Sequence, residues 1–206
     1  VAPEGLRRTL YAGYRTEEKE KDSYTYYPHT SQVPEAVAVS IRGKSYKIIA
    51  NVEITADSKG VIFAHGSRFG GHSLFIKDHK LYYVYNFLGI KEQQLVSTET
   101  LKPGKYTFGV EFTKEKAGAH GESMGTAKLY INDKAVATDA MTAQVGKFTL
   151  VGDGLCVGFD SGDPVSKQYS SPGEFEGGEI SFVTVNIGKE QYLDLEREAA
   201  RAIRKE

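Results

Sequence analysis

The chain has 206 residues, and its 26 basic and 27 acidic side chains leave a net charge of -1, so no broad field draws it to nucleic acid or to an anionic membrane. That length suits one large all-β domain, or one domain with tails, and no apolar run approaches the ~20 residues that cross a bilayer. One cysteine excludes an internal disulfide framework, while 13 Tyr and 10 Phe supply the aromatic mass of a chain without Trp.

Residues 1–35 hold few apolar positions, a charge run from Glu17 to Asp22, and the aromatic group Tyr24, Tyr26 and Tyr27 closed by Pro28. They read as a linker or arm, solvated by its charges, whose YTYYPHT stretch could dock on a neighbouring surface through its tyrosines. The opening VAPEGLRRTL lacks the apolar core of a signal peptide, and a start at Val implies a processed product or a piece of a longer chain. The expected product is soluble, with the cytoplasm and export both compatible.

From Ala36 the pattern becomes strand-like, first AVAVSI and then YKIIANVEI, where Tyr46, Ile48, Ala50, Val52 and Ile54 alternate with polar residues. Asp57-Ser58-Lys59-Gly60 reads as a turn. The stretch Gly60 to Phe87 is then a β-meander of three short runs, with Asp78-His79 as a tight hairpin tip. Its last strand sets Leu81, Tyr83, Tyr85 and Phe87 on one face and Tyr82, Val84 and Asn86 on the other. Next come EQQLVS, the turn LKPGK, and YTFGVEFT, whose Tyr106, Phe108, Val110 and Phe112 mark a buried face. KEKAGAHGES reads as a surface loop, and Asn132-Asp133 as the hairpin turn between TAKLYIN and KAVATDA. KFTL, LCVGFD and EISFVTVNI bring the expectation to about twelve strands. QYLDLEREAARAIRKE carries a weak apolar stripe at helical spacing, with acids early and bases late, and predicts a terminal helix over about 194–204.

This order predicts an all-β fold: a two-sheet antiparallel sandwich of the concanavalin A-like jelly-roll type, with an extended N-terminal arm (1–35), a sandwich domain (36–188) and a C-terminal helical tail (189–206). A closed eight-stranded barrel is the competing architecture.

No Gly-x-Ser-x-Gly elbow, His-Glu-x-x-His, P-loop or paired-cysteine zinc pattern occurs, so no catalytic residue is assigned. Cys156, inside GLCVGFD, reads as a small buried hydrophobe. HGSRFGGHS places His65, Arg68 and His72 among three glycines, a set able to meet a sulfate, a carboxylate or a sugar hydroxyl, or else a bulged crossover with satisfied imidazoles. FDSGDPVSKQY sets Asp160 and Asp163 about Gly162, a weak candidate for calcium beside the plainer reading of a turn. Tyr82, Tyr83 and Tyr85 are candidates for a sugar-stacking or interdomain surface.

Through SRFGGHSLFIKDHKLYYVYNF, together with SYKIIANVEI, KPGKYTFGVEFTKE, GTAKLYINDKAVA, GLCVGFDSGDPVSKQY and EFEGGEISFVTVNI, the chain resembles the C-terminal domain of large bacterial type I arylsulfatases. The resemblance covers about residues 36–188. In such enzymes a separate N-terminal domain carries the chemistry, with a Cys or Ser in Cys/Ser-x-Pro-x-Arg converted to formylglycine beside a calcium ion. Cys156-Val157-Gly158-Phe159-Asp160 lacks both the Pro and the Arg of that motif. The resemblance therefore implies a non-catalytic sandwich without a cofactor of its own, partnered by a sulfatase catalytic domain. A module binding sulfated glycans is the alternative.

Overall fold

A computed structural model describes residues 21–148 and 153–188. The expected terminal helix, the first part of the arm and the end of KFTL lie outside the described residues.

Ten strands form among the described residues: β1 (Ser23–Tyr26), β2 (Tyr46–Ser67), β3 (Gly70–Lys77), β4 (Lys80–Phe87), β5 (Lys91–Val96), β6 (Gly104–Ala117), β7 (Ser123–Ile131), β8 (Lys134–Ala143), β9 (Leu155–Val157) and β10 (Glu176–Ile187). All pairings are antiparallel. One sheet runs β1-β10-β2-β6-β7-β8 and the other β5-β4-β3-β2-β9. The two sheets share β2. Its first half, Tyr46 to Ile54, pairs with β6 and β10, and its second half, Gly60 to Ser67, pairs with β3.

The passage between sheets falls where a turn was expected at Asp57–Gly60; the chain bends there but stays extended. Gly60 makes the bend possible. Its φ is 99°, and a Cβ there would lie 2.0 Å from the carbonyl oxygen of Glu174.

Period-two alternation builds the core. Ile48, Ala50 and Val52 of β2, Phe108, Val110 and Phe112 of β6, and Val183, Val185 and Ile187 of β10 face Leu74, Ile76, Leu81, Tyr83 and Tyr85 of the second sheet. The second sheet is buried on both faces. On its outer side Val61, Ala64, Phe75 and Val84 pack under Val165, with Tyr82 and Tyr169 beside them. Val165 and Tyr169 belong to the strand-free segment 158–174, which lies across that face as a cap. On the side away from the bend the edge strands β5 and β8 meet through an amide. Gln93 donates Nε2–H to the Thr142 carbonyl (2.7 Å) and accepts the Thr142 N–H (2.8 Å).

Two stretches depart from expectation. Ala36 to Ile41 is not a strand, because the Pro34 carbonyl accepts the N–H groups of both Val37 and Ala38 (3.0 Å each) and closes a turn. Its alternation still reports burial, since Val39 and Ile41 are core. The arm also contributes a strand: β1 pairs along β10, and the Val39 N–H donates to the Tyr26 hydroxyl (2.9 Å). Tyr24 and Tyr26 pack on this sandwich itself, and Tyr27 stays exposed.

Candidate functional site

The glycine-rich stretch His65 to Ser73 is a hairpin and not an open loop; only Arg68 and Phe69 lie between β2 and β3. Gly71 explains part of the glycine content, since a Cβ there would lie 2.3 Å from the His65 carbonyl oxygen. The hairpin sends its residues to different environments. His65 and His72 are cross-strand partners pointing into the core, with ring centroids 5.7 Å apart. Both are buried, so neither is a surface ligand. Burial lowers His65 to about 3, with the charge of Arg42 adding to the effect, and burial holds His72 well below the ordinary imidazole value. The two rings are neutral in the folded protein.

Tyr83 and Tyr85 are likewise core. The Tyr83 hydroxyl bonds Tyr46 (2.7 Å) and lies 3.2 Å from His72 Nδ1, and the Tyr85 hydroxyl accepts the Gln144 N–H (2.9 Å). Tyr82 faces the other way, half-buried and stacked on Phe75 at 5.1 Å. The three tyrosines therefore form no common surface. Strand alternation separates Tyr82 from its neighbours, and two of the three rings fill the sandwich.

Asp160 and Asp163 also part company. Asp160 is buried beneath the cap, where Oδ2 accepts the Val165 N–H (2.8 Å) and the Tyr169 O–H (2.6 Å). Burial raises its carboxyl to about 6. Asp163 reaches solvent and pairs with Arg68 Nε at 3.1 Å. With the two carboxylates committed to different partners, the calcium arrangement is not assembled, and among the described residues no group of three or more His, Cys, Asp or Glu is placed to hold a metal ion. The Cys156 thiol is buried and raised by that burial, 3.4 Å from the Ser161 hydroxyl.

What the structure does bring together is one end of the sandwich. The Arg68–Asp163 pair joins the two stretches singled out in the sequence, and the Arg68 guanidinium lies 4.9 Å above the Phe69 ring. Asn86 extends the junction to a third loop. Its Nδ2 donates to the carbonyls of Arg68 (3.1 Å) and Val165 (2.8 Å), and its Oδ1 accepts the Gly89 N–H (3.0 Å). Gln144 steadies the same loop, with Oε1 accepting the Leu88 N–H at 3.0 Å. Around these ties Phe69, Leu88 and Ile90 stand 44%, 46% and 80% exposed.

The sequence motifs give no functional role to Asn86, Gln144 or this apolar trio. The usable signal was FLGI, a turn carrying leucine and isoleucine where polar residues are usual. Leu88 has φ 54°, a left-handed conformation that costs a side-chain-bearing residue about 1 kcal/mol and suits asparagine better. Leu88→Asn is accordingly expected to raise stability by about 0.5–1 kcal/mol, read as a higher urea midpoint at unchanged m-value.

These features define an all-β antiparallel two-sheet sandwich, with one end tied into an exposed platform of apolar side chains and mixed charges. No protein-family model matches the chain, and no curated protein does. Among solved structures it is similar to domains LG4-5 of the mouse laminin alpha1 chain, at 13% identity and TM-score 0.48 over 85% of this chain and 42% of that one. It is also similar to the heptameric SAP-like pentraxin of Limulus polyphemus, at 15% identity and TM-score 0.44 over 79% of this chain and 75% of that one. A third likeness is the receptor binding domain of botulinum neurotoxin D, at 10% identity and TM-score 0.42 over 90% of this chain and 42% of that one.

Proposed function

We propose that this sandwich is a non-catalytic accessory domain that packs beside the catalytic domain of a sulfatase-type enzyme. The resemblance over residues 36–188 supplies the enzyme class, and the platform held by Asn86 carries the reading as an interaction domain. A side chain that binds three loops through one buried and two half-buried hydrogen bonds fixes their relative positions before any partner arrives, which lowers the cost of association. The polar groups picked out in the sequence serve the fold: two imidazoles and two phenols fill the core, and Asp160 anchors the cap. Purified protein is expected to show no turnover of an aryl sulfate. Hydrolysis that co-purifies with the chain and persists in every fraction would overturn the reading.

A second reading, a module for sulfated glycans, rests on one groove. Phe75, Ile76, Tyr169 and Pro172 floor a depression of about 530 Å³ beside the bend, with Lys59 and Lys77 at its margin. Both lysines have partners already, Lys59 on Glu176 and Lys77 on Gln168, which makes this the weaker reading.

A further inference from the structure

We infer that Phe69, Leu88 and Ile90 are the anchors through which this domain docks on its catalytic partner, on a partner surface that offers an apolar depression rimmed by carboxylates. The inference rests on the accessory-domain reading and adds the contact itself.

Among the described residues, three of the five exposed large hydrophobic side chains stand on two adjacent loop tips, and a concentration of that kind on a folded surface marks an interaction site. The tips are built to hold it. Leu88 keeps its side chain in solvent despite a left-handed backbone, because Gln144 and Asn86 hold the N–H groups of Leu88 and Gly89. Asparagine at that position would relieve the strain, so the leucine stands there against local backbone preference. Phe69 under the Arg68 guanidinium, with Leu88 and Ile90 beside it, has the aromatic, aliphatic and arginine make-up of an interface centre.

The occupant follows from position and charge. Ile187 pairs with Tyr46, its N–H donates to the Asp22 carbonyl (3.0 Å), and the Gly188 N–H donates to the Ser45 carbonyl (2.6 Å). Tyr46 lies far along β2 from the bend, 5.8 Å from His72, whose strand ends at the Arg68–Phe69 tip. The described chain thus enters and leaves the sandwich at the end that carries the tips, so a domain linked in the same polypeptide would be tethered at this end. Lys91 and Lys167 are exposed beside the trio, with the Lys167 N–H on Glu92 Oε1 at 2.9 Å, while Arg68 already has Asp163. A carboxylate rim on the partner complements those lysines. The mixed charges of this end, with Asp163 and Glu92 among the bases, favour a protein over an anionic lipid surface. Three tip side chains are fewer than the ~20–30 residues a stable interface uses on each side, so they are its centre and the neighbouring loops its margin.

The test titrates the 206-residue chain into the catalytic domain of a type I arylsulfatase expressed without its own C-terminal sandwich, by calorimetry. Phe69→Ser combined with Ile90→Ser is expected to weaken binding about tenfold or more at unchanged circular dichroism, while Tyr27→Ser, at an exposed ring on the chain leaving β1, binds as wild type. Leu88→Asn, which relieves the strained turn, is expected to bind more weakly although it is more stable. Binding by wild type that the Ser variants leave unchanged overturns the inference and leaves the accessory-domain reading standing. No binding by wild type overturns both. Self-association of the chain, or attachment to phosphatidylcholine–phosphatidylglycerol vesicles, that the same substitutions abolish would overturn the inference in favour of a second copy or a membrane.

Discussion

Alanine in place of Asp160 is expected to destabilise the fold by about 3 kcal/mol at pH 5, an effect far beyond that of a surface substitution. The carboxyl is the only described acceptor for the Val165 N–H and one of two partners of the Tyr169 hydroxyl, whose oxygen is also 2.9 Å from the Ser73 hydroxyl, placed to accept its O–H. Removing it leaves buried donors without acceptors at about 1–3 kcal/mol each and opens a void beneath the cap. Asp160→Asn separates hydrogen bonding from charge. Burial raises the carboxyl to about 6, above the unfolded value of 3.8, so the folded state holds its proton more tightly. The stability this gives is fully present below pH 3.8 and is lost as pH rises through about 6. That interval corresponds to about 3 kcal/mol. The asparagine variant keeps an acceptor oxygen and cannot ionise, so above pH 7 it is expected to match or exceed wild type. Urea unfolding of the three proteins at pH 5 and pH 8, followed by circular dichroism, decides the matter. An alanine variant within about 0.5 kcal/mol of wild type at pH 5 would refute the role assigned to Asp160.

The cap also shows why part of this architecture could be read in the sequence and part could not. Tyr46 to Ile54 and Phe108 to Phe112 alternate because each lies in a strand with one face on the core, and the Asp78-His79 tip declares itself by its length and its two left-handed residues, φ 50° and 57°. Asp57 to Gly60 has the composition of a turn, yet the deciding fact is the Glu174 backbone pressed against Gly60, more than a hundred residues away in sequence. Local pattern carries no trace of such a contact. The same holds for the candidate residues. Alternation does place Tyr83 and Tyr85 opposite Tyr82, but both faces of this sheet are covered, one by the other sheet and one by segment 158–174, so neither face is an open platform. Arg68 and Asp163 were each visible as loop residues, whereas their pairing depends on the cap returning over the hairpin. Asn86, the residue that ties the loops, looks from its sequence like an ordinary polar position at a strand end.

The buried histidine pair carries the other large prediction, an acid sensitivity between pH 7 and pH 5. His65 leaves both ring nitrogens without a hydrogen-bond partner and His72 leaves Nε2, with Phe148 packed edge-on to His65 at 5.0 Å. A proton on either ring would be a buried charge, which is why burial lowers His65 to about 3 and His72 in the same direction. The unfolded chain accepts those protons near pH 6.5 and the folded chain refuses them, so their contribution is intact above pH 6.5 and is lost as pH falls, by about 1.4 kcal/mol per unit for each ring. Asp160 works against this below about pH 6, where it takes up a proton in the folded state before the unfolded one does. With two imidazoles against one carboxyl, the net expectation is a loss of about 2–3 kcal/mol between pH 7 and pH 5. His65→Leu removes two unpartnered nitrogens in favour of apolar contact with Phe148, and is expected to leave stability at pH 7 unchanged or higher while cutting the acid loss to about 1 kcal/mol or less. The check is the urea midpoint of both proteins at pH 7 and pH 5. A wild type as stable at pH 5 as at pH 7, or a leucine variant with an unreduced acid loss, would show that the imidazoles reach a proton acceptor or solvent and are not sealed in the core.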